Sequence, residues 1–302
     1  MGKDYTEQEL SDIREACRVT AEAREYGKSL IKVGASMVEV CDRIDKFILD
    51  KGYGLAFPAQ ISLNECAAHY GASLDDPIVF SEKHIAKLDL GAMKDGAPGD
   101  TAVTIDLSPD GQYKNLLDAS EEALRRAISS VKAGVSTSEI GKEIAKVAEE
   151  YGCVPIRNLS GHGIGINDLH GSPKIPNYDT GENVLLEEGM TIAIEPFMTD
   201  GAGHVIEKGE PELFMLVGRA SVRSPITRKV LQKILEFKGY PFARRYLDKT
   251  FGKPRVNFAF KELDNLGVLH KFPPLLDKDG GAVAQSEHSV LVTKDGCEIL
   301  TE

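Results

Sequence analysis

The chain has 302 residues, 42% of them hydrophobic and 27% charged, with 36 Lys and Arg against 47 Asp and Glu for a net charge of −11. That balance excludes a disordered chain and leaves enough length for a sizeable core. An acidic chain argues against nucleic acid or an anionic membrane as main partner, and no stretch approaches the ~18 apolar residues of a membrane span.

Cys17, Cys41, Cys66, Cys153 and Cys297 have no paired spacing, and residues 1–15 carry no basic-then-apolar signal. Both features point to reduced thiols and a cytoplasmic protein. Gly2 with Thr6 fits the loose myristoylation pattern, a match short enough for chance to explain.

In chain order, Thr6 with Glu9 predicts a capping box, followed by a long helix to Leu30. Ser36 with Glu39 opens a second helix that stops at Gly52. Residues 53–57 read as a strand, and 84–92 with 100–107 as a hairpin across Asp95-Gly96. Lys32, Gly34, Ser36, Glu39, Ile44, Lys46 and Gly52 recur 100 residues later as Lys132, Gly134, Ser136, Glu139, Ile144, Lys146 and Gly152. Duplication accounts for seven ungapped identities better than a shared helix grammar does. Two similar halves about a pseudo-twofold axis would place a site between them. After Glu195, 212–218 read as a strand, and 225–238, 243–250 and 257–267 as helices of a surface excursion. Val283 to Val292 reads as a returning strand. With no linker-like segment, one domain over 1–302 with a helical insertion at about 222–270 fits the pattern.

Several charged residues fall where burial is expected. Asp89 and Asp100 come roughly opposite in a hairpin turning near 94–95, where like charges destabilise a sheet. A shared proton or a cation would compensate. His162 lies in Gly161-His162-Gly163-Ile164-Gly165, where glycines leave the ring free to approach an ion, and His170 follows eight residues later. Glu195 and Glu287 sit in otherwise apolar strand patterns, where an unpaired carboxylate is costly. Four carboxylates and one imidazole suit two divalent transition ions better than structural zinc or lone calcium. His69 and His170 would then face the substrate.

Phe57-Pro58, Ser62-Leu63-Asn64-Glu65, Ala67-Ala68-His69-Tyr70, Lys87-Leu88-Asp89-Leu90-Gly91, Asp100-Thr101-Ala102, Gly161-His162-Gly163, Ile194-Glu195-Pro196-Phe197 and Ala284-Gln285-Ser286-Glu287-His288 run in this order. With these motifs the whole chain resembles the type 2 methionine aminopeptidases of prokaryotic or archaeal form. The resemblance implies an α/β pita-bread fold: a pseudo-twofold antiparallel sheet flanked by helices, with an inserted helical subdomain. It implies Asp89, Asp100, His162, Glu195 and Glu287 as ligands of two divalent ions (Co, Mn, Fe or Zn). His69, His170 and Glu195 would be catalytic, with Phe57 and Phe272 joining the two histidines in binding substrate. Phe272 stands where many relatives have Tyr, and Gln60 occupies a variable position beside the pocket. The implied activity removes the initiator methionine from nascent chains whose second residue is small. A hydroxide bridging the two ions would attack the first peptide carbonyl. The expected partners are nascent N-termini at the ribosome, with a monomeric protein, no nucleic acid and no membrane. Alternatives on the same fold are a proline-specific peptidase and a non-catalytic binding relative.

Overall fold

The computed structural model describes residues 4–302, so the Gly2 match falls outside the described residues. The first half runs through α1 (Glu7–Leu30), α2 (Met37–Asp50), β1 (Gly54–Leu63), β2 (Cys66–Ala68), β3 (Ile85–Lys94), β4 (Ala97–Pro98) and β5 (Thr101–Asp106). The capping box at Thr6 and Glu9 forms as expected: each side chain accepts a hydrogen bond from the other's backbone N–H. Ser36 opens α2 without a side-chain cap; its backbone instead bridges to Val79. β1 continues well past residue 57, because its partner β3 is ten residues long and pairs with it antiparallel.

The hairpin turns at Asp95-Gly96, whose φ values of 47° and 87° are those of a two-residue left-handed turn. Its register sets Asp89 against Ala102 and Leu90 against Thr101. Asp100 is therefore a diagonal neighbour of Asp89 on one face, not its direct opposite. The turn falls at Asp95-Gly96 as read, one residue later than the 94–95 centre that would set the two aspartates opposite.

The second half runs through α3 (Lys114–Ser130), α4 (Thr137–Tyr151), β6 (Val154–Pro155), β7 (Ser160–Gly165), β8 (Asp168–Pro176), β9 (Thr191–Ile194), β10 (Phe197–Thr199) and β11 (Val205–Glu207). Here Ser136 and Glu139 do form a capping box, and Ser136 bridges to Leu185 as Ser36 does to Val79. Gly34 and Gly134, then Gly52 and Gly152, all take positive φ. The 100-residue repeat is thus a repeat of backbone design. Each half has its own apolar cluster, one around Ile44 and Leu88, the other around Ile144 and Ile192.

Next come β12 (Leu213–Leu216), α5 (Pro225–Leu235), β13 (Phe242–Ala243), α6 (Arg244–Phe251), α7 (Lys253–Asn265) and β14 (Leu269–Phe272). The sequence predicts helices through this segment, but it also holds strands, because β12 pairs with both β13 and β14. α7 begins four residues early, since Pro254 fits its first turn. The segment has a third apolar cluster around Phe242 and Phe260. Arg245 ties it to the first half: fully buried, it donates to Asp42 and Asp45 on α2.

The chain closes with β15 (Leu275–Asp277), β16 (Val283–Gln285), β17 (His288–Val292) and β18 (Cys297–Ile299). The expected strand Val283–Val292 is broken at Ser286-Glu287. There the backbone turns to the other half: the Glu287 N–H donates to the Ala102 carbonyl at 3.1 Å, and Thr101 Oγ1 donates to the Glu287 carbonyl at 2.8 Å. β9 and β10 are likewise separated by Glu195-Pro196, where proline has no N–H to give a ladder.

Candidate metal centre

All nine residues singled out from the sequence line one cavity of about 280 Å³. Asp89 comes from β3 and Asp100 from the turn before β5, while His162 comes from β7. Glu195 and Glu287 come from the two strand breaks, His69 from the end of β2 and His170 from β8. Phe57 on β1 and Phe272 on β14 form part of the apolar wall with Phe197, Leu213 and Pro241.

The polar floor is a concentration of buried negative charge. Asp100 and Glu287 are 3% and 2% exposed, and one oxygen of Asp89 is buried with no hydrogen-bond partner. Ligand atoms of Asp100, His162 and Glu287 lie within 4.8 Å of one another. Burial raises the pKa of all four carboxyls: Asp89 reaches about 7, and the others stand well above the ordinary range, raised further by each other's charges.

His162 has a defined tautomer. Its Nδ1 lies 3.1 Å from the Gly163 carbonyl, which can only accept, so Nδ1 carries the proton. Burial pushes its pKa down to about 3, leaving Nε2 with a lone pair. That lone pair faces Asp100 Oδ2 and Glu195 Oε1, each at 3.6 Å. A lone pair and anionic oxygens this close repel unless a cation or a carboxyl proton lies among them. Together with the partnerless Asp89 oxygen, this means that the residues fit divalent metal, and the N,O donor set is one transition ions accept.

The glycines beside His162 serve a purpose different from the one expected. A Cβ on Gly161 would stand 2.3 Å from the Ala193 carbonyl oxygen, and one on Gly163 2.1 Å from that of Ser172. They let three strands close around the imidazole, where the sequence reading had them clearing space for the ring.

His69 takes a left-handed φ of 64°, a costly conformation for a residue with a Cβ, and such strain gathers at functional sites. Burial pushes its pKa down to about 4, so its ring is neutral near pH 7. It packs edge-on against Phe272 at 5.5 Å, and His170 packs edge-on against His162 at 4.5 Å. His170 remains accessible through the cavity mouth.

Two supporting residues received no role from the sequence. Gln285 Nε2 lies 3.4 Å from Glu195 Oε2. Lys87 is buried, donates to the Asn64 carbonyl at 2.8 Å, and has its pKa lowered to about 7 by burial. A fully buried lysine two residues before Asp89 is a signal that the strand pattern alone hides.

The fold and this donor set together define a metallopeptidase. Residues 11–294 match the model of metallopeptidase family M24, and the chain belongs to that family. It is similar to the curated methionine aminopeptidase of Archaeoglobus fulgidus, 40% identical over 289 residues, covering 95% of this chain and 97% of that one. The methionine aminopeptidase of Pyrococcus horikoshii is also 40% identical, over 296 residues, 97% of this chain and all of the other. Among solved structures, the methionine aminopeptidase of Thermotoga maritima superposes with a TM-score of 0.74 at 26% identity over the full length of both chains. The fold is the pita-bread fold.

Proposed function

We propose that this chain is a methionine aminopeptidase that removes the N-terminal methionine from nascent chains whose second residue is small. Full-length similarity to curated enzymes of that activity supports the reading. The observation that carries it is the neutral His162 lone pair facing two carboxylates, with a partnerless Asp89 oxygen in the same cavity.

In this reading Asp89, Asp100, His162, Glu195 and Glu287 hold two divalent ions, Co, Mn, Fe or Zn. When bound, such ions lower the pKa of water and polarise a carbonyl oxygen. The protein supplies the rest. Phe57, Phe272, Phe197, Leu213 and Pro241 enclose an unbranched apolar side chain and exclude water around it. Glu195 takes a proton from the attacking water and returns it to the leaving amine, a task suited to a carboxyl whose pKa burial has raised. Neutral His69 and His170 bond the peptide as its carbonyl carbon becomes tetrahedral. A larger second residue should clash near the metal-holding floor, so a small one is expected. The catalytic unit is a single domain over 1–302 with its insertion at about 222–270, working as a cytoplasmic monomer beside the ribosome. Among the described residues no helix is long and apolar enough to cross a membrane.

The test is the metal content of anaerobically purified protein, coupled to hydrolysis of Met-X peptides with X of graded size. Two equivalents of metal, cleavage of Met-Ala-Ser and failure on large X are expected. Cleavage of X-Pro peptides in preference, or metal-free protein with no hydrolysis, would overturn the reading.

A further inference from the structure

The net charge of −11 conceals a segregation. Residues 222–270 hold 11 Lys and Arg against 4 Asp and Glu, which leaves 25 against 43 for the remainder. The insertion is thus at +7 on a body at −18. Several of its cations are spent internally: Arg245 and Lys249 on Asp42, Lys253 on Asp75, Lys233 on Glu236 and Arg244 on Asp248. Others are exposed and form no ion pair among the described residues: Arg223, Arg228 and Lys229 at the start of α5, Lys238 after it, and Arg255 and Lys261 on α7.

On α7 these charges frame an aromatic. Arg255, Phe258 and Lys261 follow at intervals of three, so they are neighbours along one helix face. Phe258 is 55% exposed, although Val256, Ala259, Phe260 and Leu263 of the same helix fill the insertion's core. Its ring is therefore surplus to packing. A cation, an exposed ring and a second cation in a row is the arrangement that holds a single polynucleotide strand, with phosphates on the cations and a base on the ring.

We propose that the exposed face of α7, the helix that packs against α5 with its own unpaired cations, is a docking surface for single-stranded RNA. Charge complementarity identifies a polyanion. A flat anionic membrane would bring its charge against the acidic body as well, whereas a strand can follow the basic face alone. The commitment to RNA rests on the proposed function, since chains needing methionine removal emerge beside RNA. The exclusion of nucleic acid drawn from net charge averages over both surfaces and does not apply to this one.

The test uses metal-loaded, full-length enzyme and a fluorescent oligouridylate. Four phosphate contacts predict a slope of log K against log salt of about −3, and Arg255→Gln with Lys261→Gln should reduce it by about 1.4. Phe258→Ala should weaken binding about tenfold at constant slope. Both variants should hydrolyse Met-Ala-Ser at the wild-type rate, which separates this proposal from the catalytic one. No binding at about 50 mM salt, or a slope untouched by the double variant, would overturn it. So would tighter binding to phosphatidylserine vesicles than to RNA. Concentration-dependent self-association lost in the same variants would assign the face to the acidic body of a second copy instead.

Discussion

Glu195 and Glu287 stand level with each other on neighbouring antiparallel strands, each inside a two-residue break. The pairs Ile194–His288 and Phe197–Gln285 on either side of the breaks share one register, which places the two glutamates opposite. Like charges directly opposite destabilise a sheet. Both carboxyls are also buried and repel Asp89 and Asp100, so the fold concentrates charge that only a cation, or protons, can relieve.

Glu195→Gln keeps the shape and removes one charge. Hydrolysis of Met-Ala-Ser should fall about 10²–10⁴-fold, the range for loss of a general acid/base. The metal-free variant should melt higher than metal-free wild type, because one repelling carboxylate is gone. Calorimetry of both proteins after chelation, with full activity retained or a lowered melting temperature, would contradict this.

Metal dependence of stability should itself depend on pH. A carboxyl whose folded pKa is raised contributes stability below its unfolded pKa and loses it as pH rises through the folded value. Metal-free protein should therefore gain stability on acidification from about pH 8 to about 6.5, as Asp89, with a pKa of about 7, takes up a proton. Further down, the histidines reverse the trend. His69 and His162 have lowered folded values, so stability is lost once pH falls below the unfolded His value of about 6.5. The thermal shift given by Mn²⁺ should accordingly be larger at pH 8 than at pH 6.5.

Gly163→Ala tests why glycine flanks the imidazole. The added methyl would meet the Ser172 carbonyl oxygen at 2.1 Å, and backbone cannot yield as a flexible side chain can. The expected costs are about 1–3 kcal/mol of stability and weaker metal binding by titration calorimetry, because β8 must move away from His162. Unchanged metal affinity would return the glycines to the simpler role of clearing space.

Arg245 should be the anchor of the insertion. It is 0% exposed, and Asp42, Asp45 and the Tyr246 hydroxyl surround it. Burial pushes the Asp45 carboxyl up, yet the adjoining guanidinium stays charged. Arg245→Leu leaves Asp45 buried without its cation, at about 3–5 kcal/mol, while partly exposed Asp42 keeps Lys249. Adding Asp45→Asn should recover part of that loss in urea melts.

Gln60 Oε1 is buried in the cavity with no hydrogen-bond partner. Gln60→Met removes the unsatisfied amide and should stabilise the protein by about 1 kcal/mol. If the amide serves substrate, the KM for Met-Ala-Ser should rise while the melting temperature does so too. A raised melting temperature with unaltered KM would make Gln60 a packing residue only.

The helices, their caps and the chemical class of the site were legible in the chain. Capping, apolar periodicity and turn residues act within a few positions, so Thr6, Ser136 and Asp95-Gly96 announce themselves locally. Four carboxylates in apolar surroundings carry a physical penalty that pointed to cations before any geometry was known. What the tertiary structure decided depends on contacts far apart in sequence. The diagonal offset of Asp89 and Asp100 follows from the hairpin register, and the break at Ser286-Glu287 follows from bonds to Ala102 and Thr101. The purpose of the glycines beside His162 arises from neighbouring strands, and Arg245 meets Asp45 across 200 positions. The net charge of −11 was read from the sequence, but which cations remain free on one face was settled only when folding paired off the rest.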